Sequence, residues 1–184
     1  MSILEIIAAT MGVLSVWYAR KNNVLVFPTG IVSVLIYVYI TYSYQIYAEA
    51  GINIYYFLMS VYGWILWTSK NKKIKKRISK NNKRDNIIYL TFIVVLFFAL
   101  YLILNSTDSD VIFLDSITTA LSLTAMLLLA RRKLENWIYW IIADIIYIPL
   151  FIYKELYVTS FQYFIFLVLA ISGYKEWKKL LRND

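Results

Sequence analysis

Asp144 is the only acidic residue well inside an apolar run of this chain, and Trp137 and Trp140 precede it on the same run. Spacings of three and four put these side chains near one helical face, two indoles beside a carboxylate. A carboxylate inside a bilayer is costly without a partner or water. It can bind a cationic ligand, carry a proton or stabilise a bundle, and the sequence leaves these readings open. Trp137 begins its run and so also fits an interfacial position. A second constellation is Glu49, Asn53, Tyr56 and Ser60, again three or four apart. Asn53 can donate and accept hydrogen bonds, as reading an amide or sugar hydroxyls requires. It equally suits a bond between helices. Tyr56 can stack a ring while offering its hydroxyl, or simply pack. A third group is Thr159, Gln162 and Tyr163, with Thr159 also suited to capping its helix. Trp64 and Trp67 close the run that Glu49 opens, as belt residues or as a gate. Lys154 can snorkel, pair with Glu155 or order an entrance.

Other chemistries find no residues. There is no cysteine and no histidine, which removes thiol chemistry, histidine metal ligation and histidine acid–base work. No dinucleotide fingerprint, phosphate-binding glycine loop or nucleophile triad is present. Asp144 lacks a second acid or nucleophile arranged around it, so an enzyme is not expected, and neither is a cofactor or a metal.

The elements that position these residues are membrane helices. Hydrophobic residues make up 61% of the 184, and spans of about 20 apolar residues fit a bilayer. Helices are expected at Ile3–Ala19, Val24–Tyr42, Tyr47–Trp67, Ile87–Leu104, Val111–Ala130, Trp137–Tyr153 and Tyr157–Glu176. The first run has Glu5 near its start, no basic segment before it and no small-residue cleavage site, and reads as a retained helix rather than a signal peptide. Pro28 sits near a helix start, where its missing N–H costs little. Pro149 falls inside the sixth helix and should kink it or free a carbonyl towards a cavity.

Of the 19 lysines and arginines, all but Lys154 fall on one side of this reading. That side receives Arg20 and Lys21, a cluster from Lys70 to Arg84 (with Lys72, Lys73, Lys75 and Lys76), Arg131–Lys133, and Lys175, Lys178, Lys179 and Arg182. The other side holds Glu5, Glu49, Asp108, Asp110, Asp115 and Glu155. The positive-inside rule then sets the N-terminus outside and the C-terminus in the cytosol. The net charge of +8 thus reports topology, not nucleic-acid binding.

The chain also repeats itself weakly at an offset of about 110 residues. Ala19-Arg20-Lys21 resembles Ala130-Arg131-Arg132, Tyr47 corresponds to Tyr157, and the Gly63-to-Trp67 stretch corresponds to Gly173-to-Trp177. Helices one to three and five to seven would be the two units. An odd number of crossings per unit needs one extra helix between them to keep both units parallel.

In its aromatic and proline motifs the sequence resembles the nicotinamide riboside transporter PnuC family. The segments are Phe27-Pro28-Thr29-Gly30-Ile31, Tyr47-Ala48-Glu49-Ala50-Gly51-Ile52-Asn53 and Tyr62-Gly63-Trp64-Ile65-Leu66-Trp67. In the second half they are Trp137-Ile138-Tyr139-Trp140, Asp144, Lys154-Glu155-Leu156-Tyr157-Val158-Thr159 and Gly173-Tyr174-Lys175-Glu176-Trp177. The resemblance implies an all-α polytopic membrane protein of seven transmembrane helices in a 3+1+3, parallel-repeat, SWEET-like arrangement. The units would be residues 1–69, a basic linker and connecting helix at 70–110, and residues 111–184. It implies import of nicotinamide riboside by facilitated diffusion across the inner membrane, trapping by a cytosolic nicotinamide riboside kinase, and a homotrimer surrounded by membrane lipids. Thiamine or riboflavin transport, or ligand sensing without transport, are the alternatives. Carried over by motif, Glu49, Asn53, Tyr56, Trp137, Trp140, Asp144, Thr159 and Tyr163 would line the substrate site, with Trp64 and Trp67 as a possible gate.

Overall fold

The computed structural model describes residues 3–71, 77–105 and 111–183. Lys72, Lys73, Lys75, Lys76, Asp108 and Asp110 lie outside the described residues. Seven helices follow one another: α1 Ile3–Arg20, α2 Val26–Ser43, α3 Tyr47–Thr68, α4 Lys83–Leu104, α5 Ile112–Ala130, α6 Asn136–Tyr153 and α7 Tyr157–Asn183. Among the described residues, six are long and apolar enough to cross a membrane. The exception is α3, which has the length at 22 residues but carries Glu49, Asn53 and a run of tyrosines.

Two boundaries differ from the sequence reading by more than two residues. Helix α4 starts four residues early because Asn82 and Asp85 form a reciprocal capping box. The Asn82 side chain accepts from the Asp85 N–H at 2.7 Å, which satisfies an orphan donor of the first turn. Helix α7 runs on past its apolar stretch to 27 residues, or about 40 Å, beyond the ~30 Å of a hydrocarbon core. Its extension is amphipathic: Trp177 is fully buried and Leu181 packs on the core, while Lys175, Lys178 and Lys179 are exposed.

Four turns end in the left-handed region without glycine, at Asn22, Gln45, Arg132 and Glu155, with φ between 52° and 61°. Each closes its preceding helix in the same way. Ile46 N–H bonds the Thr41 carbonyl while Gln45 N–H bonds that of Tyr42; Leu156 and Glu155 repeat this on Phe151 and Ile152. Asn23 and Asn22, and Lys133 and Arg132, do the same for α1 and α5. These are Schellman closures, satisfying carbonyls that a helix end leaves open. They recur at equivalent places in the two halves.

Packing runs α1 on α2, α2 on α3, α3 on α5, α5 on α6, α6 on α7 and α7 on α1. Six helices therefore close a ring, and α4 packs from outside on α5. Helix α5 is the most buried, since Ser116, Thr118, Ala120, Ser122, Thr124 and Ala125 let its neighbours approach closely. Ser116, Thr118 and Thr124 satisfy their hydroxyls within the helix, Thr124 Oγ1 donating to the Ala120 carbonyl at 2.8 Å.

One end of the ring carries Arg20, Lys21, Arg131–Lys133 and the charged tail of α7, and is here called the basic end. It is filled by Phe27, Trp67, Trp137 and Trp177, each no more than 3% exposed. Trp67 Nε1 donates to the Ala130 carbonyl at 3.1 Å, and Trp177 Nε1 to the Ala19 carbonyl at 2.9 Å. Phe27 meets Trp67 edge-on at 4.9 Å, and Trp137 meets Trp177 edge-on at 5.6 Å. The same device thus serves both halves. Each pair needs a glycine beneath its inner ring. A Cβ on Gly173 would lie 2.6 Å from the Trp137 ring, and one on Gly63 would collide with the Phe27 ring. Gly173→Ala is expected to destabilise by about 1–3 kcal/mol through overpacking, read as a lower melting temperature in detergent. Gly51, with nothing near its Cβ position, should tolerate alanine.

Pro149 stands inside α6 and leaves the Ile145 carbonyl without its helical donor. Both residues line an apolar groove of about 420 Å³ with Val111, Leu114 and Leu150.

Candidate functional site

The interior of the ring, away from the basic end, holds a cluster of phenols, hydroxyls and one carboxylate. Tyr147 of α6 is its centre. The Tyr147 and Tyr163 ring centroids are 4.5 Å apart, and Phe151 stacks on Tyr163 at 5.1 Å with planes 18° apart. Tyr56 of α3 lies within electrostatic reach of both Tyr147 and Tyr163. Helix α5 faces the cluster with Thr118, Thr119 and Ser122, all beside the Tyr147 hydroxyl. Ser122 Oγ is buried near the Tyr56 and Tyr147 phenols without completing a hydrogen bond of good geometry.

Asp144 lies one turn before Tyr147 and is 2% exposed. It acts electrostatically on Tyr163. No hydrogen bond or ion pair reaches its carboxylate among the described residues. An uncompensated carboxylate in this setting is energetically expensive. Among the described residues no lysine or arginine pairs with Asp144.

The other sequence-derived candidates divide. Glu49 is exposed at the end opposite the basic end and feels Asp115 and Lys154. Its field also reaches Tyr56, Tyr147 and Tyr163, so it belongs to the mouth of the same cluster. Asn53 is half-buried, and its Nδ2 donates within α3 to the Glu49 carbonyl at 2.9 Å, leaving its amide oxygen for other partners. Thr159 is half-buried in the first turn of α7. Trp140 is half-buried and packs, like Tyr56, against the aromatic filling of the basic end. Trp137 and Trp67 lie within that filling, apart from the phenol cluster. Trp64, 41% exposed, faces outward on α3.

Lys154 does not pair with Glu155. It bonds both carboxylate oxygens of Asp115, at 2.9 and 3.0 Å, and so ties the end of α6 to the start of α5. The left-handed turn at Glu155 separates the two neighbours, whereas helix packing brings Asp115 close. At the basic end the Arg132 guanidinium covers the Trp67 ring at 4.0 Å. Burial pulls its pKa down to about 10, so it stays protonated at neutral pH and keeps that cation–π contact.

Tyr147, Ser122 and Thr118 were missed by the sequence reading. The signal for Tyr147 was present: it stands three residues after Asp144 and seven after Trp140, on their helical face. Among 17 tyrosines that spacing alone carries little weight.

Stacked ring faces, hydroxyls and a buried carboxylate are chemically suited to a flat, polar, positively charged solute. They offer no activated nucleophile and no acid–base pair. With apolar helices around a polar interior, this is the architecture of a membrane transporter.

Residues 2–179 match the family model described as "Nicotinamide mononucleotide transporter". The nicotinamide riboside transporter PnuC of Escherichia coli is 24% identical over 204 residues, covering 96% of this chain and 85% of its own. The protein of the same name from Haemophilus influenzae is 24% identical over 188 residues, covering 98% and 81%. The fold is similar to that in the crystal structure of the vitamin B3 transporter PnuC, with a TM-score of 0.77 at 24% identity, covering 98% of this chain and 82% of that one. The chain belongs to the nicotinamide mononucleotide transporter family. It is a multi-pass membrane protein and a transporter, not an enzyme.

Proposed function

We propose that the chain carries nicotinamide riboside across the inner (cytoplasmic) membrane by facilitated diffusion, with phosphorylation by a cytosolic riboside kinase trapping the product. One observation carries this reading over the mononucleotide of the family's description. Asp144 is buried near Tyr163, and among the described residues no partner or cation pairs with it. A pyridinium ring suits that carboxylate and the stacked ring faces. A phosphate would meet a like charge at Asp144. The relatives' names point the same way.

In this reading Tyr56, Tyr147, Tyr163 and Trp140 hold the ring against Asp144. Asn53, Thr159 and the Glu49 mouth take the ribose hydroxyls. Trp137 shapes the site through packing, and Trp64 and Trp67 border the path at the basic end. The two three-helix units, residues 1–69 and 111–184, form parallel repeats in a 3+1+3, SWEET-like arrangement, joined by residues 70–110. The matching Schellman turns and indole–carbonyl bonds support this. The basic end faces the cytosol, which puts the N-terminus outside. The protein works as a homotrimer among membrane lipids.

The test is uptake by purified protein in liposomes, with labelled riboside and no ion gradient. Saturable entry blocked by unlabelled riboside, and not by thiamine, riboflavin or the mononucleotide, is the expected result. Flux of one of those solutes in place of the riboside would overturn the substrate assignment.

A further inference from the structure

The two seams that close the ring are built on one plan but fastened unequally. At the α3–α5 seam, Trp67 Nε1 bonds the Ala130 carbonyl at 3.1 Å and the Tyr55 hydroxyl bonds the Leu123 carbonyl at 3.0 Å. Arg132 lies over the Trp67 ring at 4.0 Å. A strap then holds the α5–α6 turn in place. Ser79 N–H donates to the Arg132 carbonyl at 3.0 Å, and Leu134 N–H to the Ser79 carbonyl at 2.9 Å. Lys133 pairs with Asp85 at 2.9 Å and donates to the Lys80 carbonyl at 3.3 Å. Arg131 donates to the Tyr89 hydroxyl at 3.2 Å, which adds α4 to the fastening.

The α1–α7 seam has the equivalent indole bond, Trp177 to Ala19 at 2.9 Å. Among the described residues it lacks the rest at this end. Asn22 stands at the place of Arg132 in the matching turn, so no guanidinium follows there, and Arg20 and Lys21 both lie over Trp17 of their own helix, at 4.1 and 4.9 Å. Among the described residues no strap segment pairs with the α1–α2 turn. The same seam holds a groove of about 360 Å³ between Ala9, Val13 and Leu14 on α1 and Phe161, Gln162 and Ile165 on α7.

A transporter must open its basic end to release solute, and opening follows the seam that costs least to part. We propose that this end opens at the α1–α7 seam, with Trp177 as the moving bolt, while the Tyr55 bond and Arg132 over Trp67 keep the α3–α5 seam closed and the strap at Ser79 holds the α5–α6 turn that carries Arg132. This rests on the transport reading but not on the identity of the solute. Trp177 and Ser79 act by positioning helices and touch no solute.

The chain has no cysteine, so a single introduced one reports alone. Ser122→Cys in the buried cluster is labelled by a membrane-impermeant maleimide from the basic side, without solute. Trp177→Phe keeps the ring and removes the donor, and should speed labelling about fivefold, the weight of one hydrogen bond. Trp67→Phe should change it less than twofold, because the Tyr55 bond to Leu123 and the Arg132 contact remain. An equal or larger rise with Trp67→Phe, or no rise with Trp177→Phe, would overturn the proposal. A second variant does not touch the tryptophans: Ser79→Cys with Lys133→Cys, the bridge partners of the strap. Oxidising this pair should leave riboside flux at its reduced-state value, and loss of flux on oxidation would count against a fixed strap. Absence of riboside flux in the unmodified chain would count against the solute alone, since labelling still reads the gate.

Discussion

Asp144→Asn is expected to raise the KM for nicotinamide riboside about thirtyfold while raising the melting temperature of the empty protein. The two effects have opposite signs because one group causes both. In the free protein the carboxylate is 2% exposed, with no hydrogen bond or counter-ion among the described residues. A charge kept there costs free energy, so an uncharged amide of the same shape relieves the fold. When a pyridinium ring arrives, the carboxylate becomes its partner. Removing one member of a desolvated charge pair typically costs at least about 2 kcal/mol, or about thirtyfold in affinity. Uptake in liposomes gives the first effect and a thermal melt in detergent the second. The uncharged, reduced form of the riboside separates charge from shape. Its KM should move little between the unmodified protein and the Asp144→Asn variant. A raised melting temperature with an unchanged KM for the charged riboside would make Asp144 a structural group and remove it from the site.

The fold was legible where physics acts locally. Apolar runs and the placement of lysines located the helices, since a bilayer constrains every span in the same way. The start of α4 was hidden because Lys83 and Arg84 look like linker, while the Asn82–Asp85 capping box fixes it. The extension of α7 was hidden because its charges mask a buried stripe of Trp177 and Leu181. The sequence likeness of Gly63-to-Trp67 and Gly173-to-Trp177 did not say what each tryptophan binds. Those acceptors, Ala130 and Ala19, lie 63 and 158 residues away. Lys154 illustrates the same limit: its neighbour in sequence was the obvious partner, and its actual one, Asp115, is 39 residues off. Asp144 stood out in the sequence because a carboxylate in an apolar run is rare. Tyr147 did not, because an aromatic in an apolar run is ordinary.

Tyr147→Ala is expected to lower kcat/KM for riboside uptake about a hundredfold, and Tyr147→Phe by less than about tenfold. The ring sits 4.5 Å from Tyr163 and 5.6 Å from Phe151, so it fixes the stacked wall that a pyridinium ring would join. Aromatic stacking on a bound ring is worth about 1–3 kcal/mol by alanine substitution, up to a hundredfold or so. The phenylalanine variant keeps that face and loses only the hydroxyl beside Thr118, Thr119 and Ser122. One neutral hydrogen bond is worth about 1 kcal/mol, which sets the smaller figure. Alanine also leaves a void, so lost flux could report a loosened bundle. Tyr147→Leu fills most of that void without a π-face. It should recover the melting temperature lost in Tyr147→Ala and not the uptake. Uptake restored by leucine would show that Tyr147 fills space between α5, α6 and α7, and that the ring of the solute rests elsewhere.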